Sequence, residues 1–67
     1  MDKQKLGQLI RERRNFLNIT QKELAEISGV TLRKLVDIEN GKANPTLDTL
    51  VKLFEVLGLQ IKVEIKS

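Results

Sequence analysis

Apolar residues recur at helical spacing in four stretches of this chain and at strand spacing in a fifth. In the first, Leu6, Ile10 and Leu17 form an inner stripe from a cap at Asp2 to about Asn18, and either Leu9 or Phe16 seals an edge of the core. The second is opened by Thr20, with Glu23 three residues on to complete a capping box; Leu24 and Ala25 face inward, and Ser28-Gly29 ends it. In the third, Val30, Leu35 and Ile38 place one apolar stripe on Thr31 to Glu39. The opposite side of that helix carries Leu32, Arg33, Val36 and Asp37, a mixed and exposed face. Leu47, Leu50, Leu53, Phe54 and Leu57 then repeat at helical spacing behind an Asn44-Pro45-Thr46 turn and cap, and Gly58 closes this helix as core.

From Leu59 the period changes. Ile61, Val63 and Ile65 alternate with Gln60, Lys62, Glu64 and Lys66, the pattern of a half-buried strand. No other segment reads as strand, and a lone strand leaves its backbone N–H and C=O groups unpaired. The pattern therefore predicts either pairing with the same strand of a second copy, antiparallel across a two-fold axis, or a tail that frays or docks on its own chain.

At 67 residues the chain has room for one domain, and chains this short bury only about 60% of their unfolded surface. The division predicted is a helical unit over residues 1–58 and a dimerising strand over residues 59–67. Cysteine and histidine are both absent, which removes disulfides, zinc–thiolate sites and imidazole chemistry. No metal or cofactor is expected. No apolar run reaches the length of a membrane span, and the start MDKQKLGQ lacks a signal-peptide core, so a soluble, cytoplasmic protein without a membrane partner is expected. Net charge is +3, an ordinary value. Placement is more telling: Arg11, Arg13, Arg14, Lys22, Arg33, Lys34 and Lys42 cluster around the second and third helices, a basic footprint suited to phosphates.

Gln21, Ala25, Gly29, Val30, Leu35 and Ile38, followed by Glu39-Asn40-Gly41-Lys42, resemble the helix-turn-helix of the Xre or phage-repressor family over about residues 5 to 58. The resemblance implies a mostly α, four-helix, lambda-repressor-like DNA-binding domain, here with the C-terminal strand added. It also assigns roles. Thr31, Leu32, Arg33 and Asp37 match the base-reading positions, while Gln21 and the Asn40–Lys42 loop meet phosphates, with Thr20, Lys22 and Lys34 beside them. Arg14 pairs with Glu39, tying the first helix to the end of the third; as a partly exposed pair it is expected to contribute about 1 kcal/mol. Chemistry narrows the base readers: Arg33 can donate a bidentate pair to guanine, Leu32 can pack on a thymine methyl, and Asp37 can only accept, as from cytosine. Solvated surface residues remain the plainer reading of Arg33 and Gln21. Leu32 and Val36 depart from the polar donors many relatives carry.

A helix-turn-helix followed by such a strand also resembles the HipB-like antitoxins, which dimerise through the strand and repress an operon encoding a kinase-fold, HipA-like toxin. Two functions follow as expectations. One is a dimeric repressor whose third helices read a palindromic operator with half-sites one turn apart. The other is an antitoxin or scaffold acting through protein contacts, which Leu32 and Val36 favour. Catalysis is not expected, because the acidic residues are scattered over helix surfaces and no hydroxyl has a base beside it.

Overall fold

Each helix of the chain starts on an oxygen-bearing side chain. In the computed structural model, which describes residues 1–66, four helices follow one another: α1 (Lys3–Phe16), α2 (Gln21–Ser28), α3 (Leu32–Glu39) and α4 (Leu47–Leu57). Asp2, Thr20, Thr31 and Thr46 are their N-caps, accepting from the N–H groups of Lys5, Glu23, Lys34 and Thr49 at 2.8, 3.0, 3.2 and 3.2 Å. Each cap satisfies one of the free donors of a first turn, and replacing such a residue with Ala costs about 1 kcal/mol. At Thr20 the box is reciprocal, with Glu23 Oε1 accepting from the Thr20 N–H at 2.9 Å.

Three helix ends reverse through a left-handed residue and a long-reach hydrogen bond. Ile19 N–H donates to Arg14 O behind Asn18 (φ 58), Lys42 N–H to Asp37 O behind Gly41 (φ 72), and Leu59 N–H to Phe54 O behind Gly58 (φ 71). These sharp exits let short helices fold back on one another. The buried core is Ile10 from α1, Leu24 and Ala25 from α2, Val30 from the turn, Leu35 and Ile38 from α3, and Leu53, Phe54 and Leu57 from α4. Burying each large aliphatic side chain is worth about 1.5–3 kcal/mol.

α1 crosses α3 closely enough that only glycine fits at the crossing. A Cβ on Gly7 would lie against Ile38 O and 2.8 Å from Glu39 O, both backbone atoms that cannot step aside. This contact brings the exit of the third helix onto the first.

Several expectations are corrected. α1 ends at Phe16 rather than near Asn18, because Asn18 takes the left-handed conformation that starts the turn. Leu17 consequently points away from the inner stripe and is exposed, and neither flanking residue seals the core: Phe16 is 73% exposed, and half-buried Leu9 lines an open groove with Leu6, Leu50 and Phe54. Leu47, placed in the core by its spacing, sits in the first turn of α4 and is 67% exposed. The expected C-terminal strand is not formed: among the described residues, none from 60 to 66 makes a backbone–backbone hydrogen bond, since the single chain offers no second edge to pair with. Residue 67 of that expected strand lies outside the described residues. No helix here is long and apolar enough to cross a membrane.

Candidate nucleic-acid interface

α3 is short and strongly two-sided. Leu35 and Ile38 anchor its inner face in the core, so the side carrying Leu32, Arg33 and Lys34 is left exposed. Thr31 is the cap and not part of the helix, and its Oγ1 takes the Lys34 N–H as acceptor. A hydroxyl so used still holds a free donor proton, which can go to a base edge or a phosphate oxygen. Asp37 and Val36 are half-buried. Half-burial of Val36 narrows the apolar outer face to Leu32, which weakens the case for protein docking there. Lys22, Thr31 and Leu32 line one shallow cleft between α2 and the start of α3.

What holds α3 in place is a carboxylate at its far end. The Glu39 side chain is fully buried, and Arg14 meets it with two parallel bonds, Nε to Oε2 at 2.8 Å and Nη2 to Oε1 at 3.0 Å. Gln21 Nε2 adds a third donor to Oε1 at 3.2 Å, and Arg14 Nη1 reaches on to Ile19 O at 3.0 Å. Side chains of α1 and α2 thus converge on one carboxylate of α3, and Arg14 carries the link on to the loop at Ile19. The expected Arg14–Glu39 pair is present, but its burial is greater than expected: Arg14 is 12% exposed and Glu39 not at all. Removing one member of such a pair strands a charge away from water, a cost of about 3–5 kcal/mol rather than the 1 kcal/mol of an exposed pair. Gln21 likewise does not stand free in solvent. One amide proton is committed to Glu39, and the other is available to a phosphate.

The remaining phosphate candidates divide by engagement. Lys22, Lys34 and Lys42 have exposed side chains, and Lys42 is fixed at its backbone by the bond to Asp37 O. Thr20 has its hydroxyl oxygen on the Glu23 N–H. Asn40 is exposed at the α3 exit, where its Oδ1 accepts from Arg11 Nη2 at 3.3 Å. The Thr20 N–H and hydroxyl hold the Glu23 carboxyl below its usual range, the backbone bond contributing most.

The run Arg11-Glu12-Arg13-Arg14 behaves differently from a solvated face. Its three arginines each donate to a main-chain carbonyl beyond α1: Arg11 Nη2 to Glu39 O at 2.8 Å, Arg13 Nε to Leu57 O at 2.8 Å, and Arg14 Nη1 to Ile19 O. Glu39 and Leu57 end helices, so these cations meet carbonyls left open by the helix and the negative end of its dipole. Arg13 also lies over the Phe16 ring, 5.1 Å from its centroid. The basic footprint therefore loses Arg13 and Arg14 and retains Lys22, Arg33, Lys34 and Lys42, with Arg11 shared. Arg11 is the residue that spacing could have flagged: three positions before Arg14, it shares that helix face and reaches the same partner. Among the described residues no three His, Cys, Asp or Glu side chains gather to hold a metal.

Comparison with known proteins decides the family. The family model described as Helix-turn-helix matches residues 10–63, most of the chain. The chain belongs to the Xre-like helix-turn-helix family. The ImmF control region 10 kDa protein of Bacillus phage phi105 is 35% identical over 63 residues, spanning 94% of this chain and 70% of that protein. The control protein C.SmaI of Serratia marcescens is 36% identical over 59 residues, spanning 88% and 70%. Among solved structures, the restriction-modification controller protein C.AhdI from Aeromonas hydrophila superimposes with a TM-score of 0.83 at 31% identity, covering 87% of this chain and 88% of that one. None of these three is described as an antitoxin, so the toxin-binding expectation gains no support from them. This helix-turn-helix protein, with its fold and its outward α3 face, is a sequence-specific DNA-binding transcriptional regulator.

Proposed function

We propose that the chain acts in the cytoplasm as a dimeric repressor, two copies of α3 reading a palindromic operator whose half-sites lie one helical turn apart. The observation that carries this reading is the division of α3 into a core-anchored side and an exposed side bearing Leu32 and Arg33, with the buried Glu39 pair fixing its angle. In this reading the first turn of α3 enters the major groove. Arg33 donates to guanine, Leu32 packs on a thymine methyl, the Thr31 hydroxyl donates, and Asp37 accepts from a cytosine amine. Phosphates are gripped by Lys22, Lys34 and Lys42, by the Thr20 hydroxyl and Asn40 amide, and by the spare amide proton of Gln21. That last role sits at the start of α2, where free N–H groups and the helix dipole attract an anion. Repression follows from occupying promoter DNA.

A salt-titrated binding assay against the DNA immediately upstream of its own gene tests the reading. Affinity should fall with a log–log slope near −0.9 for each phosphate neutralised. Specific binding that disappears when the upstream DNA is replaced by random sequence supports repression. Equal binding to both, at every salt concentration, refutes operator recognition.

A further inference from the structure

The tail after α4 carries an unusual combination. Among the described residues its backbone has no hydrogen-bonding partner from 60 to 66, and its apolar side chains face water, Val63 at 92% and Ile65 at 97% exposed. Ile61 marks where the tail meets the fold: it lines an apolar groove together with Leu47, Leu50 and Phe54, and a second groove with Val51. Lys62 Nζ and Glu64 Oε1 lie 3.3 Å apart. Two residues apart, these side chains share one side of the tail, as alternate positions of an extended chain do.

Those charges distinguish between registers. In an antiparallel ribbon built from two copies of one strand, the two-fold axis is normal to the ribbon and passes beside one residue, which faces its own counterpart. With Lys62 on the axis, lysine would oppose lysine. With Glu64 there, glutamate would oppose glutamate and Lys62 would oppose the partner's Lys66. An axis at Ile61 or Ile65 leaves Ile61, Val63 and Ile65 incompletely matched with one another. Only Val63 on the axis sets Lys62 opposite the partner's Glu64 on both sides, pairs Ile61 with the partner's Ile65, and puts Val63 on Val63. Opposite charges across a ribbon stabilise and like charges destabilise. Because a two-fold normal to the ribbon preserves its faces, all six apolar side chains then lie on one side.

We propose that residues 60–66 of two copies pair antiparallel about a two-fold axis at Val63, the register fixed by Lys62 facing the partner's Glu64. The common apolar side of this ribbon covers the exposed Leu47 and Val51 of both α4 helices, and the charged side faces water. The pairing gives the tail backbone its missing partners and rests on the dimeric reading above.

The chain contains no cysteine, so single cysteines report the register directly. Opposed residues in a ribbon have Cα atoms about 4.5–5.5 Å apart, within disulfide reach. Two Ile61 residues, displaced by four positions, would be about 14 Å apart along the strands and out of reach. Sedimentation of the parent chain is measured first, then crosslinking of Val63→Cys, Ile61→Cys and Ile65→Cys under mild diamide oxidation. The expected result is a dimeric parent, rapid disulfide dimers from Val63→Cys alone, and dimers again from the double variant Ile61→Cys/Ile65→Cys. Lys62→Glu and Glu64→Lys should each weaken dimerisation about tenfold, and the two together should restore it. A dimeric parent in which Ile61→Cys or Ile65→Cys alone crosslinks as fast as Val63→Cys overturns the register while leaving the dimer standing. A dimeric parent in which none crosslinks overturns the tail as interface. A monomeric parent removes the dimeric reading and this pairing with it.

Discussion

Replacing Arg14 with Met tests the buried link between the first and third helices. The substitution keeps most of the aliphatic volume but removes three hydrogen bonds, two to the Glu39 carboxylate and one to Ile19 O. Glu39, whose side chain has no exposure, then keeps only Gln21 at 3.2 Å and the Arg11 guanidinium at 3.7 Å. Leaving a buried charge so poorly matched costs about 3–5 kcal/mol. A chain of this length has a total stability of about 3–10 kcal/mol at 0.05–0.15 kcal/mol per residue. The loss is therefore a large part of the whole. Urea unfolding followed by circular dichroism, at one fixed protein concentration, should show the midpoint falling by about 3–5 M for a slope near 1 kcal/mol per molar. The double variant Arg14→Met/Glu39→Met has no stranded charge and should be more stable than Arg14→Met alone. A single-variant loss below about 1 kcal/mol, the value of an exposed pair, would refute the reasoning, as would a double variant less stable than the single.

Three further outcomes follow from the same geometry. Gly7→Ala should destabilise by about 1–3 kcal/mol in urea unfolding, because the new methyl would press on the backbone of α3, whereas helix propensity alone predicts a gain of about 1 kcal/mol. The Glu23 carboxyl is held below its ordinary value of 4.5, so its contribution is complete above that value and lost as pH falls through the lowered one; Glu23→Gln should flatten that part of the melting-temperature profile on the acid side. Lys42→Ala should weaken binding to operator and to random DNA equally and reduce the salt slope by about one phosphate.

How much of this was legible in the sequence depended on how local the determining interaction is. The caps at Asp2, Thr20 and Thr46 and the closing Gly29 and Gly58 involve residues within a few positions of one another, and the chain announces them, whereas Thr31, read as the first residue of a helix, is its cap. The stripes of α2 and α3 were equally plain, since period and burial agree there. The Arg14–Glu39 pair, separated by 25 residues, came from family resemblance, and its full burial could not: burial depends on how closely α1 and α3 approach, which Gly7 decides. Periodicity also misplaced Leu17 and Leu47, because helix ends turn spaced residues away from the core. Charge counting placed Arg13 in the DNA-facing cluster, whereas its partner is the carbonyl of Leu57, 44 residues away. The strand pattern of the tail states a preference that one copy of the chain has no means of fulfilling.

The central claim is that the exposed start of α3 reads bases. It is tested most directly by the ratio of operator to random-DNA affinity for Arg33→Ala against the parent, at one salt concentration and with folding confirmed by circular dichroism. The account predicts that Arg33→Ala loses about 1–3 kcal/mol on the operator and almost nothing on random DNA, so that the ratio collapses. An Arg33→Ala variant that keeps the parent's ratio would contradict it.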